Sequence, residues 1–163
     1  MGFRLKIDPE WNVIKRIKEH INADPMLKEQ GQDFREATLL AAIELIENAL
    51  KYSDHEEGQS VEFDLSMDDG YCEIRVTNRV RNEEHRAALK EVMERIEDAD
   101  PFELYVQRLE TLKEHPDGFS RMGLIRIVYE GEFSLSANIA GDTVTMIARR
   151  AVPGLTAAME TQG

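Results

Sequence analysis

The chain has 163 residues, a length that suits one domain and leaves little room for two. Twenty Lys and Arg against 32 Asp and Glu give a net charge of −12, which repels phosphate backbones and sets nucleic acid aside as a partner. No apolar run reaches the length of about 18 residues that spans a bilayer, and the start MGFRLKIDPEWN carries no apolar export segment, so no membrane association and a cytoplasmic location are expected. The single Cys72 excludes an internal disulfide and a Cys-rich zinc site; alternating with strand-like neighbours, it reads as a small core residue.

Phe3, Leu5 and Ile7 alternate with Arg4 and Lys6 as a short strand, and Asp8-Pro9 then caps a helix running to about Asn22 with Trp11, Ile14, Ile17 and Ile21 on its apolar stripe. A second helix is predicted from Asp33, with Glu36 completing a capping box, to about Tyr52. Val61, Phe63, Leu65 and Met67, then Cys72, Ile74 and Val76, alternate with polar residues around Asp68-Asp69-Gly70 and predict a β-hairpin. Residues 83–97 read as a helix through Ala88, Leu89, Val92 and Ile96. Asp100-Pro101 and Glu103 cap another that ends near His115-Pro116, giving a charged helical insert over about 83–116. A loop from Asp117 enters a short apolar helix, and Phe133 to Ile139 with Val144 to Ala148 form a last hairpin around Gly141-Asp142. The tail 153–163 has no pattern and is expected to be disordered. The order β-α-α-β-β-(α-α)-α-β-β over residues 1–152 predicts one α+β domain, a two-layer sandwich with a mainly antiparallel mixed sheet and helices on one face.

On a helical wheel of the second helix, Leu39, Ile43, Ile46 and Leu50 fall on one face, while Glu44, Asn48 and Lys51 lie together on the other with Tyr52 beside them. Asn48 is the odd residue, because Asn inside a helix competes with its own backbone. A solvated polar face is one reading of this cluster. A binding site is the other.

The stretch Glu44-Leu45-Ile46-Glu47-Asn48-Ala49-Leu50-Lys51-Tyr52-Ser53 resembles the N-box of the GHKL superfamily, the fold of histidine-kinase catalytic domains and anti-sigma-factor serine kinases. The downstream order of hairpin, helical segment, glycine-containing loop and final hairpin is also similar. The resemblance covers roughly residues 33–152. It implies that Asn48 coordinates the Mg²⁺ bridging the phosphates of ATP, as a hard neutral oxygen ligand can. It implies that Glu44 orients or deprotonates an attacking hydroxyl. Lys51 would meet a phosphate and Tyr52 would pack near the adenine or ribose, although a snorkelling lysine and a core-edge aromatic are their ordinary alternatives.

Two family boxes depart from the pattern. Where D-x-G-x-G is usual, this chain has Asn78-Arg79-Val80-Arg81-Asn82, so the adenine amino group would meet the neutral carbonyl of Asn78 rather than a carboxylate. Where G-x-G-L is usual, it has Ser120-Arg121-Met122-Gly123-Leu124, a reduced phosphate cradle at a helix start with Arg121 as an added charge. An intact N-box with eroded glycine boxes, together with the D-P-x-E-L-Y run Asp100 to Tyr105, resembles small stand-alone bacterial regulators of the SiaB type. That resemblance implies phosphorylation or sequestration of a small STAS-type, anti-anti-sigma-like partner. The alternative is a degenerate interaction module without nucleotide. Dimerisation through the apolar elements from Phe3 to Ile21 is a further expectation. Scattered histidines, a turn-like Asp68-Asp69-Gly70 and the lack of a P-loop or nucleophile elbow argue against transition-metal, calcium, P-loop and hydrolase chemistry.

Overall fold

The computed structural model describes residues 2–7, 13–52, 61–68, 70–98, 100, 102, 103, 106 and 122–152. Its elements are β1 (Gly2–Ile7), α1 (Val13–Ala23), α2 (Pro25–Glu29), α3 (Gln32–Tyr52), β2 (Val61–Asp68), β3 (Tyr71–Arg79), α4 (Glu83–Asp98), α5 (Met122–Tyr129), β4 (Ser134–Ala140) and β5 (Thr143–Ala151). The strands form one five-stranded sheet in the order β1-β2-β3-β5-β4. Its ladders are all antiparallel among the described residues, so the parallel pairing that a mixed sheet implies is not seen there.

Strand periodicity decides the two faces of this sheet. Val61, Phe63, Leu65 and Met67 of β2, Cys72, Ile74 and Val76 of β3, and Val144, Met146 and Ala148 of β5 are buried. Register stacks them in rows, Phe63 against Val76 and Val76 against Met146, then Leu65 against Ile74 and Ile74 against Ala148. The alternate positions set opposite charges across strands, Asp64 against Arg75 and Glu73 against Arg149. Such pairs contribute roughly 0.2–1 kcal/mol each on a solvated face. The result is the expected α+β architecture, with the core between the apolar sheet face and the helices.

The long helix buries Phe34, Thr38, Ala41, Ala42, Leu45, Ile46, Ala49 and Leu50. Of the expected stripe Leu39, Ile43, Ile46 and Leu50, the last two are buried and the first two only partly so, and the buried face is rotated toward Ala41, Ala42, Leu45 and Ala49. Ala41, Ala42 and Ala49 share this buried face with the fully buried Leu45, Ile46 and Leu50. The hydroxyl of the buried Thr38 donates to the Phe34 carbonyl at 2.9 Å, so its polar atom is satisfied within the helix. Cys72 is a core residue, and burial pushes its thiol up to about 12.

Three boundaries differ from the sequence reading. The capping box at Asp33 is not formed: α3 begins at Gln32, and Glu36 accepts instead from Gln32 Nε2 at 2.9 Å. Gly31, at φ 96°, turns the chain into the helix, a left-handed conformation that costs glycine little. The short α2 was not expected, although Asp24-Pro25 carries a cap signal and Asp24 accepts from the backbone N–H of Met26 and Leu27 at 2.9 and 3.3 Å. Val13, Ile17 and Ile21 of α1 lie in the chain's own core, which removes them from the expected dimer surface. The Asp8-Pro9 cap, Trp11 and the tail 153–163 lie outside the described residues, as does most of the second half of the insert. Of that half, Phe102, Glu103 and Val106 are helical, and the Phe102 N–H bonds to the Asp100 carboxylate at 3.1 Å. No helix among the described residues is long and apolar enough to cross a membrane.

Candidate functional site

Glu44 and Asn48 lie one turn apart on α3, and both are half-buried rather than solvated. The reason is α5, which packs along the same helix. Arg126 Nη1 of α5 donates to Glu44 Oε1 at 3.0 Å, and its Nε donates to Glu130 Oε2 at 2.9 Å. The Glu44 side chain is only 13% exposed. Burial raises its pKa above the ordinary carboxylate value; Glu47 and Glu130 raise it further, while Arg126 pulls it down. The other carboxylate oxygen, Oε2, lies against Gly123, where any Cβ would collide with it. Gly123 therefore seats the Glu44 carboxylate.

Asn78 occupies the last inward-facing position of β3 and pairs with Val144 of β5. It is 5% exposed, and its side-chain amide makes no hydrogen bond among the described residues. An amide buried without a partner costs about 1–3 kcal/mol. The segment that follows is tied down by hydrogen bonds and an ion pair. Arg86 Nη1 donates to the carbonyls of Val80 and Arg81 at 2.6 and 3.0 Å, the Val80 N–H bonds to the Asp142 carbonyl at 2.7 Å, and Arg79 approaches the Asp142 carboxylate at 3.4 Å.

The structure thus brings Glu44 and Gly123 together, sets Asn48 beside Glu44 on one helix, and places Asn78 on the sheet face against which the helices pack. Lys51 is exposed. Ser120, Arg121 and the side chains of Tyr52 and Met122 lie outside the described residues. Arg126, Glu130 and Glu47 went unnoticed in the sequence, although an arginine isolated in the apolar run MGLIRIVY signals a buried carboxylate partner. Two grooves lined by described residues lie elsewhere, one between α4 and β4 and one on the open sheet face at Tyr71 and Arg149.

A solved protein shares this fold. A chain in the crystal structure of the SiaB–SiaC complex from Pseudomonas aeruginosa superposes with a TM-score of 0.65 over 92% of this chain and 89% of that one, at 14% sequence identity. At this identity the likeness concerns architecture. No protein-family model matches the sequence, and the search of characterised proteins found no match.

Proposed function

We propose that this chain is a partner-switching regulator that binds Mg-ATP with residues of α3, the end of β3 and the start of α5, and phosphorylates or sequesters a small regulatory protein in the cytoplasm. The observation that carries the reading is Asn78, an amide buried without a hydrogen-bond partner among the described residues, at the strand position where the resemblance puts the acceptor for the adenine amino group. The residues present fit the nucleotide in kind. The amide oxygen of Asn48 would hold Mg²⁺, and Lys51, Ser120, Arg121 and the backbone at Met122 and Gly123 would meet phosphate oxygens, with Tyr52 beside the base or ribose. Bound Mg-ATP would supply the transferable phosphoryl group.

Glu44 would orient or deprotonate the hydroxyl of the acceptor. A carboxylate with a raised pKa is a stronger base than an exposed one, and Arg126 fixes its direction. Phosphoryl transfer depends chiefly on positioning and charge neutralisation, so few residues suffice. A small STAS-type protein is the partner to try first, since the fold neighbour was solved in complex with SiaC. Incubation with labelled Mg-ATP and such a partner should transfer label to a partner serine or threonine, and Asn48→Ala should abolish the transfer. Absence of label together with unchanged partner binding by Asn48→Ala would reject the kinase reading.

A second reading, an interaction module that works without nucleotide, is favoured by the Arg86 and Asp142 ties on residues 79–81, which replace the glycines that let a backbone approach a ligand. Partner binding indifferent to Mg-ATP would support it.

A further inference from the structure

The strand β4 is an edge: among the described strands it pairs with β5 alone. Its sequence, SLSANIA, contains no charge and no proline, in a chain with a net charge of −12. Edges exposed to water are ordinarily guarded by charges, prolines or bulges, because their unpaired N–H and C=O groups recruit other strands. The strand β4 carries no such guard.

The backbone of β4 also has a defined outward pattern. Ala140 and Thr143 face each other across the two-residue loop Gly141-Asp142, with Gly141 at φ 64°. Residues flanking such a loop exchange both backbone bonds. Ser134, Ser136, Asn138 and Ala140 therefore turn their N–H and C=O groups to β5, and Leu135, Ala137 and Ile139 turn theirs outward. About Ala137 the strand is symmetric in character: small Ser134 and Ala140 at the ends, large Leu135 and Ile139 next, polar Ser136 and Asn138 inside.

We infer that the β4 edge is a homodimer interface, at which two copies of this chain continue one another's sheet, antiparallel, about a two-fold axis at Ala137. Antiparallel pairing about that axis sets Leu135 against Ile139 of the second copy on the helix-covered face, and Ser136 against Asn138 of the second copy on the open face. Every outward backbone donor meets an acceptor, as an isologous contact requires. The strand itself brings no charged side chain to this axis. Beside the strand, Lys90, Met93, Glu94 and Glu97 of α4 line a groove of about 220 Å³ with Ala137 and Ile139.

Sedimentation equilibrium on the full chain tests this, with far-UV circular dichroism to confirm folding. The wild type should be dimeric. Ser136→Lys with Asn138→Lys should weaken the dimer at least tenfold, whereas Ser136→Lys with Asn138→Glu should keep it, because this register pairs 136 with 138 across the axis. If the double-lysine chain fails to fold, Ala137→Pro, which removes an outward-facing N–H at a position an edge strand tolerates, should give the same loss. A monomeric wild type at millimolar concentration, or a dimer that the folded lysine or proline variants leave intact, would overturn the inference.

Discussion

Arg126 on α5 reaches across to Glu44 on α3, its Nη1 donating to Glu44 Oε1 at 3.0 Å while its Nε holds Glu130 at 2.9 Å. One guanidinium thus divides itself between the carboxylate at the centre of the candidate site and another just past the end of its own helix. Arg126 is 40% exposed and Glu44 only 13%, so the arginine is partly solvated while the glutamate depends on it for much of its stabilisation.

Glu44→Gln should alter how stability depends on pH. The pKa of Glu44 is raised in the folded protein, so between its unfolded value near 4.5 and the higher folded value the native state binds more protons than the unfolded state. Stability from this group is fully present below the unfolded value and falls as pH rises through the folded one. Glutamine does not ionise and can still accept from Arg126. Urea denaturation from pH 4 to 8 should therefore show the variant gaining on the wild type as pH rises. Phosphotransfer by the variant should fall about 100-fold or more, the usual weight of a general base.

Arg126→Met keeps the aliphatic contact of the side chain and removes its charge. Carboxyl NMR titration should show Glu44 moving to a still higher pKa, since Arg126 opposes the effects that raise it. The loss in stability should be about 1 kcal/mol, the scale of a partly exposed ion pair.

Gly123→Ala places a methyl group where Glu44 Oε2 now lies. The obstruction is the far end of a flexible side chain, so the carboxylate swings away and stability falls by less than about 1 kcal/mol. Misplacement of a positioned base matters more to rate, and phosphotransfer should drop about 10- to 100-fold. Thermal unfolding beside a transfer assay separates the two effects.

Asn78→Val should strengthen the fold and weaken the site. Valine suits a strand and removes the unpartnered amide, so the protein without nucleotide should gain about 1 kcal/mol in urea unfolding. Nucleotide affinity should fall in the same variant. Loss of both stability and affinity would mean that Asn78 is a structural residue.

Much of this molecule was legible in the amino-acid sequence. Both hairpins follow from strict alternation around Asp68-Asp69-Gly70 and Gly141-Asp142, and period-two burial in β2 and β3 matches it residue by residue. The stripe of α3 was less legible because size misleads. Ile46 and Leu50 of the expected stripe are buried, but Leu39 and Ile43 are only partly so, and Ala41, Ala42 and Ala49, whose small side chains give a weak signal, complete the face. At the site, the pairing of Glu44 with Asn48 follows from helical spacing alone. The contacts of Glu44 with Arg126 and Gly123 connect positions about 80 apart in the chain, and only tertiary packing brings them together. Asn78 stands out in the sequence only through the resemblance; that its amide is buried, with no partner among the described residues, is visible only once β5 lies beside β3.

Calorimetric titration with ATP, with and without Mg²⁺, on the wild type and Asn48→Ala tests the nucleotide site most directly. Saturable binding that requires Mg²⁺ and is lost in Asn48→Ala is the expected result, with intact circular dichroism showing that the variant is folded. No heat up to millimolar ATP in the wild type, or binding that Asn48→Ala leaves unchanged, would contradict it.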